Sequence, residues 1–172
     1  MHLTTERLDL TDIGPDDLDA VLAVALSNPA FLATHEGSGG QLGRYDRDML
    51  ERDLAVADLD PGRRPLVVRL RDTGEVVGWA ELLDEHPRDH VPWIGLLELH
   101  ADHHRRGFGR EATDAFLDWA RARGASALRL GVDDGNEAAM AFWTGLGFVP
   151  VDRRERDSPT GHLGVTVLER AL

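Results

Sequence analysis

Residues 97–110 read LELHADHHRRGFGR, an apolar strand that continues through a polar loop into the start of a helix. In such a loop the successive backbone N–H groups of residues 105–110 can point into one cavity, and glycines let a ligand approach the main chain. The helix that follows presents the positive end of its dipole at the same place. The stretch therefore predicts a site for a pyrophosphate, to which Arg105, Arg106 and Arg110 add positive charge. A solvated helix start is the alternative interpretation of this segment taken alone.

A second segment, residues 136–148, reads NEAAMAFWTGLGF and predicts a helix that ends in two glycines before a strand. Asn136 is a good N-cap for this helix. Ala139 and Phe142 lie one turn apart, so one face of the helix carries a small residue and an aromatic ring, against which a slender ligand arm can lie. Ordinary core packing is the alternative interpretation.

Together the two segments resemble the signatures of the GNAT superfamily, the acetyl-CoA-dependent N-acetyltransferases. These signatures are Q/R-x-x-G-x-G/A, matched here by residues 104–109, and N-x-x-A-x-x-F/L-Y-x-x-x-G-F, matched by residues 136–148. The segments around residues 5–8 and 167–170 also look like the first and last strands of that family, so the resemblance spans most of the chain. It implies transfer of an acetyl group from acetyl-CoA directly to a primary amine of a small molecule, a peptide or a protein.

By this resemblance, residues 105–110 cradle the pyrophosphate of the cosubstrate acetyl-CoA. The strand around Leu97 and Leu99 pairs its backbone with the pantetheine arm, and the second segment lines the opposite wall. The expected cofactor-binding residues are Leu97, Leu99, His104, Arg105, Arg106, Gly107, Phe108, Gly109, Arg110, Asn136, Ala139, Phe142 and Trp143.

The fold that follows is of the α/β (α+β) class. We expect a mixed, mostly antiparallel central sheet of about seven strands with helices on both faces, and the resemblance implies a V-shaped splay between the fourth and fifth strands. The pattern of apolar residues predicts strands near residues 8–11, 65–71, 75–83, 91–99, 127–132, 148–153 and 162–168. It predicts helices after Pro15 and at residues 45–57, 107–123 and 136–144, a glycine-rich loop over residues 31–43, and a polar loop between the last two strands.

Two positions depart from the family pattern. His104 stands where Gln or Arg is usual, but backbone groups do most of the binding in such a loop. Trp143 stands where many members carry the Tyr that protonates the departing thiolate, and an indole N–H is not acidic near pH 7. The thiolate is then expected to take its proton from water or from the substrate ammonium. This departure also keeps open a non-catalytic acyl-CoA sensor or interaction module.

An amine must lose its proton before it attacks a thioester, so the reaction needs a base or a water relay to one. Glu98 is the first candidate catalytic residue, because it is the only carboxylate within an otherwise apolar strand beside the expected thioester site. Glu81 and His100 are the alternatives. A backbone N–H near Leu99 would stabilise the oxyanion, and direct transfer suits a chain without Cys or Lys.

The acceptor pocket is expected to form from the N-terminal helices and from the segments at residues 31–45 and 84–92. Their carboxylates Glu36, Asp84 and Glu85 favour a cationic acceptor.

The overall composition restricts the classes of protein and of partner that remain possible. A chain of 172 residues fits a single domain, residues 1–172. Its net charge of −12 disfavours a nucleic-acid partner. No cysteine and no apolar N-terminal run occur, so we expect a cytoplasmic protein, monomer or homodimer, with no membrane partner. Every basic residue apart from the histidines is Arg, which excludes a Schiff-base lysine and a P-loop lysine.

Two rival sites match the sequence less well. Gly107, Gly109 and Ala112 fit a dinucleotide-binding fingerprint, with Asp133 as the later acid, but a polar loop separates the strand from the first glycine. A metal site at His100, His103 and His104 would need a carboxylate ligand and would suffer repulsion from the neighbouring arginines. We therefore expect no metal.

Overall fold

The computed structural model describes residues 1–35, 45–158 and 161–172. These residues form one sheet with the strand order β1-β2-β3-β4-β5-β6-β8-β7. The strands are β1 (His2–Thr4), β2 (Leu8–Asp12), β3 (Arg63–Leu70), β4 (Val76–Leu83), β5 (Trp93–Leu99), β6 (Ala127–Asp133), β7 (Val149–Ser158) and β8 (Gly161–Ala171). The helices are α1 (Leu18–Leu26), α2 (Pro29–His35), α3 (Arg47–Asp58), α4 (Phe108–Ala122) and α5 (Glu137–Gly145).

The sheet has the mixed, mostly antiparallel character that the sequence predicts. Neighbouring strands are antiparallel except β5 and β6, which are parallel. The described sheet has eight strands where about seven were expected, because residues 2–4 form an additional short strand that pairs with β2. The predicted fold class is confirmed.

Helices cover both faces of the sheet, as β3 illustrates. Leu66 and Val68 belong to the larger apolar core, together with Phe116 of α4. Val67 lies between them in the sequence but belongs to a smaller core with Val21 of α1. Because successive side chains of a strand point to opposite faces, α4 and α1 pack on opposite sides of the sheet.

A β-bulge opens the sheet between β5 and β6. Glu81 of β4 pairs with Leu96, and Leu82 pairs with Ile94, so Gly95 is an extra residue in β5. A bulge of this kind bends the strand and increases its twist. Beyond it, β5 leaves β6: the pairing between them comprises residues 93 and 94 of β5 alone. This opening is the splay expected between the fourth and fifth predicted strands.

Two predicted loops differ from the structure. Residues from Phe31 to His35, expected in a glycine-rich loop, belong to α2, which begins at Pro29, a residue well suited to the first turn of a helix. The rest of that loop, up to residue 43, lies outside the described residues.

The prediction of a polar loop between the last two strands was also wrong for residues 154–158, because these residues continue β7. Two arginines of this extension are neutralised by carboxylates, because Arg154 pairs with Asp89 and Arg156 with Asp133. In the described part of the chain, the helices lack the combined length and apolarity that crossing a bilayer requires.

Candidate active site

The open edge of β5 presents backbone groups to the cleft between β5 and β6. The N–H of His100 donates to the Val77 carbonyl of β4 at 2.9 Å. Because backbone groups of successive strand residues point to opposite edges, those of Leu97 and Leu99 point away from β4 and into the cleft. Consistently, the Leu99 carbonyl accepts hydrogen bonds from Asn28 Nδ2 and His104 Nε2, each at 2.9 Å. The N–H groups of Leu97 and Leu99 therefore face the cleft.

Three cavities meet at this edge. The first, here the arginine cavity, has a volume of about 560 Å³ and lies on the side of α4 and α5. The second is the cleft itself, about 220 Å³. The third, here the carboxylate cavity, has a volume of about 310 Å³ and lies on the side of α1 and α3. Leu97 and Leu99 line the arginine cavity, whereas Glu98, whose side chain points to the other face, lines the carboxylate cavity.

The arginine cavity brings together most of the predicted cofactor-binding residues. Its lining comprises Leu97, Leu99, His104, Arg105, Gly107, Phe108, Gly109, Arg110, Ala138, Ala139, Phe142 and Trp143. Of the predicted set, Arg106 and Asn136 are placed elsewhere. The two sequence segments thus form opposite walls of one cavity, although residues 111–135 separate them in the chain.

The loop before α4 depends on left-handed backbone conformations. Gly107, the N-cap of α4, has φ of 88°, and Arg105 has φ of 57°, which is uncommon for a residue with a side chain. Gly109 follows in the first turn of α4 and is needed for close packing. A Cβ there would lie 3.0 Å from Phe142 Cζ and 3.6 Å from Leu99 Cδ1. The glycine therefore lets α4 approach Phe142 closely, whereas the distance to Leu99 is an ordinary van der Waals contact.

Arg106, which the sequence assigns to the pyrophosphate site, is not among the residues that line the arginine cavity. Its guanidinium donates to His103 Nδ1 at 2.9 Å and lies 5.5 Å from the centre of the Phe108 ring. His103 is 8% exposed and donates from Nε2 to Glu75 Oε1 at 3.2 Å. The Arg106 carbonyl accepts a hydrogen bond from Arg7 Nη1 at 3.2 Å. The residue thus ties the loop to Arg7, between β1 and β2, and through His103 to Glu75, just before β4.

Asn136 and Trp143 lie at the cleft. Asn136 Oδ1 accepts from the Ala139 N–H at 3.0 Å, so it caps α5 as the sequence predicts, and it also lines the cleft. Trp143 lines both the cleft and the arginine cavity. Its ring is 7% exposed and packs edge-on between Phe142 and Phe148, with centroid distances of 4.8 and 5.4 Å. An apolar indole thus occupies the position at which the family pattern has a phenol.

Glu98 lies at the junction of the cleft and the carboxylate cavity, and it lines both. Its side chain is 6% exposed, and Oε2 accepts a hydrogen bond from Trp79 Nε1 at 2.8 Å. Oε1 is buried and has no hydrogen-bond partner among residues 1–35, 45–158 and 161–172. Burial raises the pKa of Glu98 to about 7, although the Trp79 hydrogen bond and the nearby Asn28 amide favour the charged form. This carboxyl group can therefore both accept and hold a proton near neutral pH.

The alternative bases are engaged elsewhere. Glu81 forms an ion pair with Arg63 at 2.6 Å on the wall of the carboxylate cavity. His100 Nδ1 accepts a hydrogen bond from the Asp102 N–H at 3.3 Å, where it caps a short 3-10 turn. The geometry therefore favours Glu98 among the three candidates.

The carboxylate cavity contains residues that the sequence did not single out. Among them are Trp79, Asp53 and Arg63, together with the side chains of α1, α2 and α3. Asp84 and Glu85, which were expected there, instead pair with Arg64 and His90. Glu36 lies outside the described residues.

Comparison with known proteins identifies the family to which this geometry corresponds. The model of the acetyltransferase (GNAT) family matches residues 28–148. A mycothiol acetyltransferase of Propionibacterium freudenreichii subsp. shermanii is 30% identical over 147 residues, which cover 83% of this chain and 43% of that protein. The chain thus spans less than half the length of that relative.

Solved structures share the fold over nearly the whole chain. An acetyltransferase from Thermus thermophilus is 28% identical, with a TM-score of 0.73 and 100% of both chains covered. A spermidine N-acetyltransferase from Vibrio cholerae, solved in complex with CoA and spermine, is 17% identical, with a TM-score of 0.73 and 95% of each chain covered. At that identity the second likeness concerns the fold alone.

Proposed function

Because this chain belongs to the acetyltransferase (GNAT) family, we propose that it transfers the acetyl group of acetyl-CoA directly to a primary amine of a small molecule, a peptide or a protein. The observation that carries the proposal is the placement of Glu98. A buried carboxyl with a pKa of about 7 lies where a cleft open to backbone donors meets a separate cavity on the other face of the sheet. Such an arrangement suits two substrates that approach from opposite sides.

The residues of the arginine cavity fit the cosubstrate. The N–H groups at the start of α4 and the side chains of Arg105 and Arg110 would bind the pyrophosphate. One of the two N–H groups of Leu97 and Leu99 would donate to a carbonyl of the pantetheine arm, which leaves the other for the acetyl group, and Phe142 would cover the apolar part of the arm. When bound there, acetyl-CoA supplies an acetyl group activated as a thioester.

Glu98 would act as the general base. An alkyl ammonium has a pKa near about 10, so it is almost entirely protonated at neutral pH. Glu98 Oε1 would take the proton from the ammonium, directly or through one water, and the nitrogen lone pair freed in this way would then attack the thioester carbon. The raised pKa makes the carboxylate a stronger base than an exposed Glu while leaving a substantial fraction of it ionised at pH 7.

A fixed backbone donor would stabilise the negative charge that develops on the carbonyl oxygen. The N–H group of Leu97 or Leu99 that does not pair with the pantetheine arm is already oriented toward the cleft, so it would need no reorganisation during the reaction. Trp143 cannot protonate the leaving thiolate, because its indole N–H is not acidic near neutral pH. The nitrogen loses a second proton as the amide forms, and this proton would reach the thiolate directly or through water.

The test combines binding with turnover. We expect acetyl-CoA to raise the melting temperature of the protein. In a panel of primary amines, we expect some to gain the mass of one acetyl group while acetyl-CoA releases free thiol. Binding without turnover on any amine would instead support the acyl-CoA sensor. If millimolar acetyl-CoA produces neither calorimetric heat nor a change in melting temperature, the proposed function fails.

A glycine substitution tests whether the arginine cavity is the binding site. Gly109→Ala places a Cβ 3.0 Å from the Phe142 ring, so it should displace that wall and weaken acetyl-CoA binding by about tenfold. Gly145→Ala is the matched control, because a Cβ there meets no atom within 4 Å. Equal affinities of the two variants for acetyl-CoA would place the binding site elsewhere.

A further inference from the structure

We propose that the acetyl acceptor carries a second positively charged group, separated from the reacting amine by an apolar stem, and that Asp53 binds this second group. The inference rests on the proposed function, in which the reacting amine lies at Glu98. It goes further by naming the substrate class as a small dicationic amine.

The charged side chains that line the carboxylate cavity indicate which kind of ligand it can bind. Among the residues that the structure describes, three carboxylates, those of Asp53, Glu81 and Glu98, face this cavity with one guanidinium, that of Arg63. Arg63 and Glu81 form an ion pair at 2.6 Å and largely neutralise each other. Glu98 and Asp53 are left as two acidic groups that a substrate can neutralise.

Glu98 marks one end of the ligand. Its Oε1 atom is buried without a hydrogen-bond partner among the described residues, and the side chain is only 6% exposed. An unpaired acceptor in such a place is costly unless a donor fills it. An ammonium group entering the cavity supplies that donor, and it is the same group that the reaction acetylates.

Asp53 marks the other end. It lies on α3, and its Oδ2 atom accepts a hydrogen bond from the Tyr45 hydroxyl at 2.9 Å. A hydroxyl donor holds the carboxylate in one orientation but does not neutralise its charge, in contrast to the arginine that pairs with Glu81. Asp53 is exposed and lines the cavity, so a cationic group can reach it without being fully desolvated.

The wall of the cavity defines the stem and the size of the ligand. Apolar side chains form most of it, contributed by Phe31, Leu54, Leu96 and Trp79 among others. A volume of about 310 Å³ is at the lower end of the range for small-molecule sites. An alkyl chain between two cationic groups matches both the wall and the volume.

Three amines with the same number of carbon atoms, five each, test the inference: cadaverine, n-pentylamine and δ-aminovalerate. They present, respectively, a cation, a methyl group and a carboxylate at the end remote from the reacting amine. We expect kcat/KM for cadaverine to exceed that for pentylamine by about five- to tenfold, and aminovalerate to be the poorest acceptor.

Asp53→Asn should lower kcat/KM for cadaverine to the level of pentylamine, while leaving pentylamine turnover and the KM for acetyl-CoA unchanged. Asp48→Asn is the matched control, because it removes the same charge from an exposed position in the first turn of the same helix. The control should keep the preference for cadaverine. Melting curves of both variants report whether the fold is retained.

The outcomes separate this inference from the proposed function. Turnover of pentylamine and cadaverine at equal kcat/KM overturns the dicationic acceptor but leaves acetyl transfer standing. The same holds if Asp53→Asn slows both amines equally. Absence of acetyl-CoA binding, with no thiol released by any amine, overturns both proposals.

Discussion

Replacing Glu98 with Gln tests the proposed mechanism most directly, because it removes the proton-accepting group while nearly preserving the shape of the side chain. With a pKa of about 7, roughly a tenth of the Glu98 side chains are ionised at pH 6 and roughly nine-tenths at pH 8. A positioned general base contributes about 10²–10⁴-fold to the rate. We therefore expect the rate of Glu98→Gln at pH 7.5 to be at least about 10²-fold below that of the parent.

The pH dependence distinguishes loss of a base from loss of structure. The parent rate should rise about fivefold between pH 6 and pH 7, because the ionised fraction of Glu98 rises from roughly a tenth to roughly a half, and more gradually above. The variant should accelerate steadily with pH, because the amine loses its own proton more often as its pKa of about 10 is approached. The deficit of the variant should therefore shrink at high pH.

Initial rates of thiol release at saturating acetyl-CoA, measured from pH 6 to pH 10 with an amine identified in the panel, provide the assay. The melting temperature and the acetyl-CoA dissociation constant serve as controls for folding and binding. A variant with the rate and pH profile of the parent would remove Glu98 from the mechanism and return the search to Glu81, His100 or a water relay. A deficit of constant size at every pH would indicate a structural defect.

Three further predictions follow from the contacts of the same site. Trp79→Phe removes the N–H that favours ionised Glu98, so the pKa of Glu98 should rise further and the acid limb of the pH–rate profile should shift to higher pH. His103→Phe keeps an aromatic ring but removes both hydrogen bonds, so calorimetry should show weaker acetyl-CoA binding by several-fold, with kcat unchanged; an unaltered dissociation constant would refute the positioning role. The raised pKa of Glu98 also predicts a pH-dependent stability. Between its ordinary pKa of 4.5 and about 7 the folded protein binds more protons than the unfolded chain, so stability should fall by about 3 kcal/mol as pH rises through this window. Urea denaturation of Glu98→Gln should show this loss to be absent.

The parts of the site that are predictable from the sequence are those fixed by local chemistry. The N-cap of α5 at Asn136 and the start of α4 just after Gly107 depend on residues only a few positions apart. The same holds for the loop between β5 and α4, where glycine is required at a left-handed position. For this reason the predicted bounds of α4 and α5 differ from the observed bounds by only one residue.

The parts that were missed depend on contacts between distant segments. Arg106 has the charge of an anion-binding residue, but its side chain is drawn to His103, which Glu75, just before β4, orients. Trp79 reaches Glu98 because the two are paired across β4 and β5. The segment between those strands is too long to fix their register, and a bulge shifts the register further, so no local pattern could identify Trp79 as the partner.

The bulge at Gly95 links the fold to the proposed chemistry. In a regular strand that begins with Ile94 facing the larger core, Glu98 would face that same core, because side chains alternate with a period of two. The extra residue reverses the alternation, so Glu98 pairs with Trp79 and turns to the carboxylate cavity. A Cβ at Gly95 would lie 2.8 Å from Glu81 Oε1 and 2.9 Å from Leu83 Cδ1, so a larger residue there would have to displace the ends of these two side chains. The same bend separates β5 from β6, so one inserted residue both orients the carboxyl group and opens the row of backbone donors beside it.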